Sequence, residues 1–340
     1  MTSWLRDVRD GVEARLAGFF REERERLVRL APEAAELTDA IDVFTMRGGK
    51  RLRPALAFAA YKSVRLQGAL SEIVDACAAL ELLQSYLLIH DDWMDGDDER
   101  RGGPAVHAAL REGRADAHQA NALAILAGDL ASAQSWRLLS TASADPAIQA
   151  RVIELALRMH EEVIIGQALD LTGAPDVSRM HQLKTGSYTV RGPLALGATL
   201  GGASREQHEA LVRFGGPIGE AFQMRDDLLG TFGDPRVLGK SVGGDLRAAK
   251  RTALIRAAEE RASPAELASI RAVLGRADAS DAALAELRQT LVACGARAAV
   301  EARAGELLSA AKATLDDAPL SPLGAGMLRA LADRLAVRDR

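Results

Sequence analysis

No stretch of this sequence alternates apolar and polar side chains with the period of two that a half-buried strand requires. Alanine and leucine recur throughout, whereas valine, isoleucine and threonine are sparse, and that usage favours helix along the whole chain. Stripes with helical spacing are written in instead: Leu5 is followed by Val8, Val12, Leu16 and Phe19. Helix starts show at Ser204 and Ser263, each followed three residues on by Gln207 or Glu266 as a capping box. The chain is therefore expected to be all-α. No Ser/Pro-rich linker, low-complexity tract or short repeat interrupts its 340 residues, which predicts one domain over 1–340. The chemistry-bearing motifs fall in 46–251, and the Ala-rich helices of 252–340 read as packing.

Charge and cysteine usage narrow the function. Forty-three Lys and Arg against 47 Asp and Glu give a formal net charge of -4, so no global basic field exists to hold nucleic acid. Any anion-binding surface must be local. Cys77 and Cys294 are too few for a disulfide framework, and no run approaches the ~18 apolar residues of a membrane span. Met1 to Arg26 lacks the apolar core of a secretory signal. A soluble, cytoplasmic protein is the expectation.

Three local patterns carry chemistry. The first is an almost wholly apolar helix with Leu80, Leu83, Leu87, Leu88 and Ile89 that runs into His90-Asp91-Asp92-Trp93-Met94-Asp95. Asp91 and Asp95 are four apart and share a face with Gln84 and Leu87. Like charges repel there unless a divalent cation lies between them, and oxygen donors without His or Cys suit Mg²⁺. Alone, such a pair could equally be a solvated helix end. The second pattern tips that balance: Gln223, Asp226 and Asp227 fall at helical spacing behind apolar Ile218 and Phe222. The third is Gly48-Gly49-Lys50-Arg51-Leu52-Arg53-Pro54, a glycine pair and three cations before a helix that Pro54 can open, suited to cradle a diphosphate. Lysine usage points the same way. Only Lys50, Lys62, Lys184, Lys240, Lys250 and Lys312 occur, and four of the six sit beside Gly-rich or acidic motifs.

From about Met46 to Arg251 the sequence resembles the trans-prenyl diphosphate synthases of the polyprenyl synthetase family. The resemblance rests on Gly-Gly-Lys-Arg-Leu-Arg-Pro, on Asp-Asp-Trp-Met-Asp with Arg100-Arg101-Gly102, on Gly166-Gln167 with Asp170, on Lys184-Thr185, and on Phe222-Gln223 before Asp226-Asp227. It implies a helical bundle of the isoprenoid-synthase type around a deep central apolar cavity, and a homodimer. The implied reaction is head-to-tail condensation of isopentenyl diphosphate with dimethylallyl, geranyl or farnesyl diphosphate. By resemblance Asp91, Asp95 and Asp226 hold three Mg²⁺ ions, with Asp92 and Asp170 in support. Lys50, Arg53, Gln84 and Arg101 then bind isopentenyl diphosphate, and Arg100, Lys184 and Lys240 the allylic diphosphate. Thr185 and Gln223 line the path of the carbocation, and Lys250 lies near the closing segment Gly233 to Gly244.

Two departures and two alternatives bear on this reading. Gly230 stands where many members carry a third Asp, and Gly243-Gly244-Asp245 alters the closing segment. A terpene cyclase ionises the same diphosphates but binds only one, which would leave the Gly48 to Pro54 cradle without a purpose. A non-catalytic partner subunit would have no use for both carboxylate sets and the lysines. His90 and His107 flank the first motif and are read as hydrogen-bonded structural residues.

Helix geometry makes Leu87 the expected ruler of product length, and the resemblance gives the length itself. Leu87 lies four positions before Asp91, about one ~5.4 Å turn deeper on the same face, so a chain growing away from the diphosphate meets it early. Among family members, aromatics at the fourth and fifth positions before the motif accompany fifteen-carbon products, whereas this chain has Leu87 and Tyr86. The pattern resembles the twenty-carbon synthases and implies geranylgeranyl diphosphate, with farnesyl diphosphate as the alternative. An ideal helix turns Tyr86 off the Asp91 face, so its part in the ruler rests on the resemblance alone. Leu87→Phe is expected to shift the products to shorter chains; an unchanged distribution on chromatographic sizing would refute the ruler.

Overall fold

The computed structural model describes residues 3–112, 114, 116–174, 176–234 and 242–336. The expected all-α class is what forms. In chain order the helices are α1 (Ser3–Leu30), α2 (Ala34–Met46), α3 (Leu52–Val64), α4 (Val74–Asp95), α5 (Val106–Arg111), α6 (Ala117–Leu139), α7 (Pro146–Leu171), α8 (Val177–His181), α9 (Gly192–Gly201) and α10 (Arg205–Phe232). They continue as α11 (Gly244–Arg247), α12 (Ala253–Arg261), α13 (Pro264–Val273), α14 (Asp281–Ala293), α15 (Ala296–Ala313) and α16 (Pro322–Ala336). Two features depart from plain α-helix. Gln182–Arg191 winds as a π-helix, and β1 (Glu99–Arg100) pairs with β2 (Gly103–Pro104) in a small antiparallel hairpin.

Packing divides the chain into two compact units. The first comprises Met1–Leu157, Gly192–His208 and Leu320–Ala325; the second comprises Arg158–Arg191, Glu209–Pro319 and Gly326–Arg340. In the first unit the α1 stripe is buried as its spacing predicts, with Val8, Val12 and Leu16 fully covered and Phe19 and Phe20 beside them. The helix α4 lies along α6, and α3 along α9. Glycine permits that second contact: a Cβ on Gly197 would stand 1.9 Å from the Ala57 carbonyl oxygen. Gly96, at φ +70°, ends α4 directly after Asp95, in the left-handed conformation that glycine adopts without strain.

The second unit has its own core of Leu228, Leu246, Leu254, Ile255, Ile270, Leu284, Leu287 and Leu291. It supports the end of α10 and the helices that read as packing in the sequence. The expected capping boxes are present. Ser204 N donates to Gln207 Oε1 at 3.0 Å and Ser263 N to Glu266 Oε2 at 2.8 Å. The helix α10 runs unbroken through Pro217, although proline lacks the N–H that would bond one turn back.

The Gly197–Ala57 approach is backbone to side-chain position, so neither helix can yield by a rotamer change. Gly197→Ala is expected to lower unfolding stability by at least ~2 kcal/mol, read from the midpoint of chemical denaturation.

Candidate active site

In the first unit the glycine pair and the basic residues build a concentrated cation cluster. Gly48 at φ +106° and Gly49 at φ +153° turn the chain, and Arg51 itself sits in the left-handed region at φ +45°. A Cβ on Gly49 would lie 3.7 Å from the Arg101 guanidinium carbon and 3.7 Å from Arg51 Nη1. Gly49 thus passes between two guanidinium groups. Arg51 is buried and pairs with buried Glu81 at 2.6 Å, while its Nη2 donates to the Thr45 carbonyl at 3.0 Å. Arg53 is also buried, at 8% exposure, and Lys50 is exposed. Burial, with Arg51, Arg53 and Arg100 close by, lowers the Arg101 pKa against the opposing pull of Glu81. Glu81 and Glu13 pair with Arg51, and Asp92 with Arg100, and an anionic ligand beside Gly49 would relieve the repulsion that Arg101 meets from the other three arginines.

The hairpin delivers two of those arginines. Arg101 and Gly102 form a two-residue turn with both φ values positive, +54° and +71°, the conformation that matches strand twist in a tight hairpin. Arg47 Nη1 clamps it by donating to the carbonyls of Arg100 at 3.2 Å and Pro104 at 2.7 Å. Sequence reading left Arg47 aside, since nothing local to it points to positions more than fifty residues on.

At the end of α4 the three carboxylates of the first motif divide. Asp92 is fully buried and accepts two hydrogen bonds from Arg100, Nε at 2.7 Å and Nη2 closer still. Burial raises the Asp92 pKa to about 6 in spite of that partner. Asp92 therefore anchors Arg100. Asp91 is half-buried and Asp95 exposed, on the other side of the helix end. Behind them Gln84, Leu87 and Leu88 are half-buried in a helix otherwise deeply covered, which leaves a largely apolar strip leading to Asp91. Tyr86 points elsewhere: its ring meets that of His90 edge-on at 4.9 Å. His90 bonds to the Ile125 carbonyl at 2.9 Å and His107 to Asp98 at 3.1 Å, so both histidines hold structure as expected. Gly128 makes room for His90, since a Cβ there would stand 2.2 Å from the ring.

In the second unit α7, the π-helix and α10 carry the remaining groups. Gly166 lets the backbone at Lys184 lie against α7, where a Cβ would come within 2.2 Å of the Lys184 nitrogen. One turn on, Asp170 takes the Lys184 ammonium at 2.6 Å, with Lys250 Nζ at 4.0 Å. Burial works against ionisation of Asp170, yet Lys184, Lys250 and His181 together bring its pKa below the ordinary value. The π-helix holds Lys184 and Thr185 on widened turns, a rare form that is frequent at functional sites. The run Thr185-Gly186-Ser187-Tyr188-Thr189, poor in helix formers, was its signal in the sequence.

The second acidic pair also divides. Asp226 is exposed, whereas Asp227 is 3% exposed and accepts from Gln223 Nε2 at 2.8 Å and from Ala253 N at 3.0 Å. Burial pushes the Asp227 pKa up to about 7 against those two bonds. Gln223 and Asp227 line a cavity of 630 Å³ with Gly186 and Gly219 in its wall. Gly230, which replaces a third acid, has its own neighbour: a Cβ there would lie 3.0 Å from Asp245 Oδ2, so Asp245 brings a carboxylate to that point. Lys240 lies outside the described residues, as does most of the closing segment.

The donors fit Mg²⁺. Among the described residues no three His, Cys, Asp or Glu side chains cluster to hold a metal by themselves. Mg²⁺ keeps several waters and binds through one or two carboxylates plus substrate phosphates, for which Asp91, Asp95 and Asp226 are of the right type.

Comparison with known proteins gives a consistent result. The polyprenyl synthetase family model matches residues 34–291. A geranylgeranyl diphosphate synthase of Mycobacterium tuberculosis is 38% identical over 284 residues, covering 81% of this chain and 77% of that one. A short chain isoprenyl diphosphate synthase of Methanocaldococcus jannaschii is 34% identical over 237 residues, 68% of each chain. The crystal structure of geranylgeranyl pyrophosphate synthase from Corynebacterium glutamicum, complexed with isoprenyl diphosphate and magnesium, matches with a TM-score of 0.90 at 34% identity over 99% of both chains.

The buried Arg51–Glu81 pair supports the cation cluster. Glu81→Gln removes the fully buried one of the two carboxylates that pair with Arg51, leaving half-buried Glu13 at 3.3 Å, and is expected to destabilise the protein by ~2 kcal/mol, measured by denaturant unfolding.

Proposed function

The chain belongs to the polyprenyl synthetase family, and we propose that it makes geranylgeranyl diphosphate. It is a prenyltransferase that condenses isopentenyl diphosphate with an allylic diphosphate. The observation that carries this reading is the four-arginine cluster around Gly49, an anion site set apart in the sequence from the carboxylate motifs. It suits the diphosphate of isopentenyl diphosphate, with Lys50, Arg53, Arg101 and Gln84 as its binding groups. Two of the relatives described above carry the geranylgeranyl name, and the half-open strip at Leu87 has no aromatic to stop a chain early.

Magnesium goes with this family, and Asp91, Asp95 and Asp226 are the residues we assign to three ions. When bound, the ions neutralise the allylic diphosphate as charge develops on it. Lys184, steadied by Asp170, acts on the same leaving group, and Arg100, Lys240 and Lys250 are the further cations we assign to it. The allylic C–O bond breaks, and Thr185 and Gln223 face the resulting cation. Leu87 and Leu88 keep water from it. The double bond of isopentenyl diphosphate attacks, a new C–C bond forms, and a proton is lost to the departing diphosphate, His90 and His107 being engaged elsewhere. We assign the two units to one catalytic domain, since each draws on stretches interleaved along the chain. A homodimer in the cytoplasm completes the proposal. Among the described residues no helix is long and apolar enough to cross a membrane, and both cysteines are free thiols.

The deciding experiment incubates purified protein with Mg²⁺, labelled isopentenyl diphosphate and each allylic primer, then sizes the hydrolysed products. Twenty-carbon alcohol is expected, and a fifteen-carbon end point would make it a farnesyl diphosphate synthase. Asp91→Ala and Asp226→Ala are each expected to cut turnover by at least ~10²-fold with the fold intact, because each removes a metal ligand from the transition state; near-normal rates would sink the metal assignment. Lys50→Ala and Arg53→Ala are expected to raise the KM for isopentenyl diphosphate far more than that for the allylic partner. Equal rises in both would remove the two-site assignment.

A further inference from the structure

The Gln223 amide is held from one end only. Its Nε2 donates to Asp227 Oδ1 at 2.8 Å, and Asp227 Oδ2 accepts from the Ala253 N–H at 3.0 Å, at the first position of α12. Gln223 Oε1 is buried and accepts no hydrogen bond among the described residues. A buried carbonyl left without a donor carries a desolvation penalty, and this one belongs to a side chain that lines the cavity of the second unit. With Asp227 ionised both its oxygens only accept, one from the backbone and one from the amide NH₂, which is the orientation the 2.8 Å Nε2–Oδ1 bond has. The other end is a carbonyl dipole, which has the polarity that stabilises a carbocation and lacks the nucleophilicity that would trap one.

We propose that Asp227 is a positioning residue: anchored on the α12 N-terminus, it fixes the Gln223 amide with Oε1 turned to the developing allylic cation. Asp227 and Asp226 thus have separate roles although they are adjacent in sequence. This inference rests on the assignment of Gln223 to the carbocation path.

Asp227→Asn tests it with little change in shape. The Asn oxygen can still accept from Ala253 N–H, and its NH₂ then faces Gln223, which must flip and present its own NH₂ to the cation. The expected result is a fall in kcat of about 10- to 100-fold with both KM values nearly unchanged. Ala253→Pro is the second variant. Proline suits the first turn of a helix, and Thr252 already has the extended backbone that precedes proline (φ -66°, ψ 165°). It removes the donor that anchors Asp227 and is expected to lower kcat by a smaller factor. The discriminating measurement is a double-mutant cycle with Gln223→Met, which has no amide to orient. In that background Asp227→Asn is expected to change kcat by less than about twofold. If the losses multiply instead, Asp227 acts independently of Gln223 and the proposal is overturned while the carbocation assignment stands. If Gln223→Met alone leaves kcat unchanged, the assignment of Gln223 is wrong and the proposal falls with it.

Discussion

Holding like charges close together is the constraint around which this protein is arranged. Arg51, Arg53, Arg100 and Arg101 gather in one partly buried region, where a low local dielectric strengthens their repulsion. Two buried carboxylates keep them there. Glu81 neutralises Arg51 from within α4, and Asp92, on the same helix, anchors Arg100. The repulsion that remains around Arg101 suits the anion site proposed above. An exposed arrangement of the same residues would be screened by water and salt and would select weakly.

Rigid backbone makes such crowding possible. The arginines come from a glycine turn, a clamped hairpin and a helix start, none of which can relax by a simple rotamer change. The lysine side follows the same rule: Gly166 brings the π-helix backbone against α7 so that Asp170 meets Lys184 at hydrogen-bond distance. In each case a missing side chain sets the position of a charged one. The second acidic motif shows the converse, with Gly230 leaving space that Asp245 enters from a later segment.

Much of this was legible in the sequence. Helical periodicity set the fold class, since apolar spacing along α1 and the caps at Ser204 and Ser263 are local properties of the chain. Residue type and spacing also set the chemistry: cations after a glycine pair, and carboxylates at the ends of apolar helices, are combinations that a water-facing surface rarely needs. The hairpin and the π-helix were not read, because two-residue strands leave no periodicity to detect and a ten-residue π-helix differs from α-helix only in its winding.

What the sequence could not assign was the division of labour within each motif. Asp91 and Asp92 are adjacent, as are Asp226 and Asp227, yet one of each pair is buried in hydrogen bonds while the other lies nearer the surface. Neighbouring residues on a helix point about 100° apart, so which one finds Arg100 or the α12 N-terminus depends on elements distant in the chain. The sequence by itself determined an all-α prenyl diphosphate synthase chemistry, because helix formation and ligand type are encoded locally. Only the tertiary structure decided which charges are buried as anchors and which stand nearer the surface, because burial and partners are set by what packs alongside.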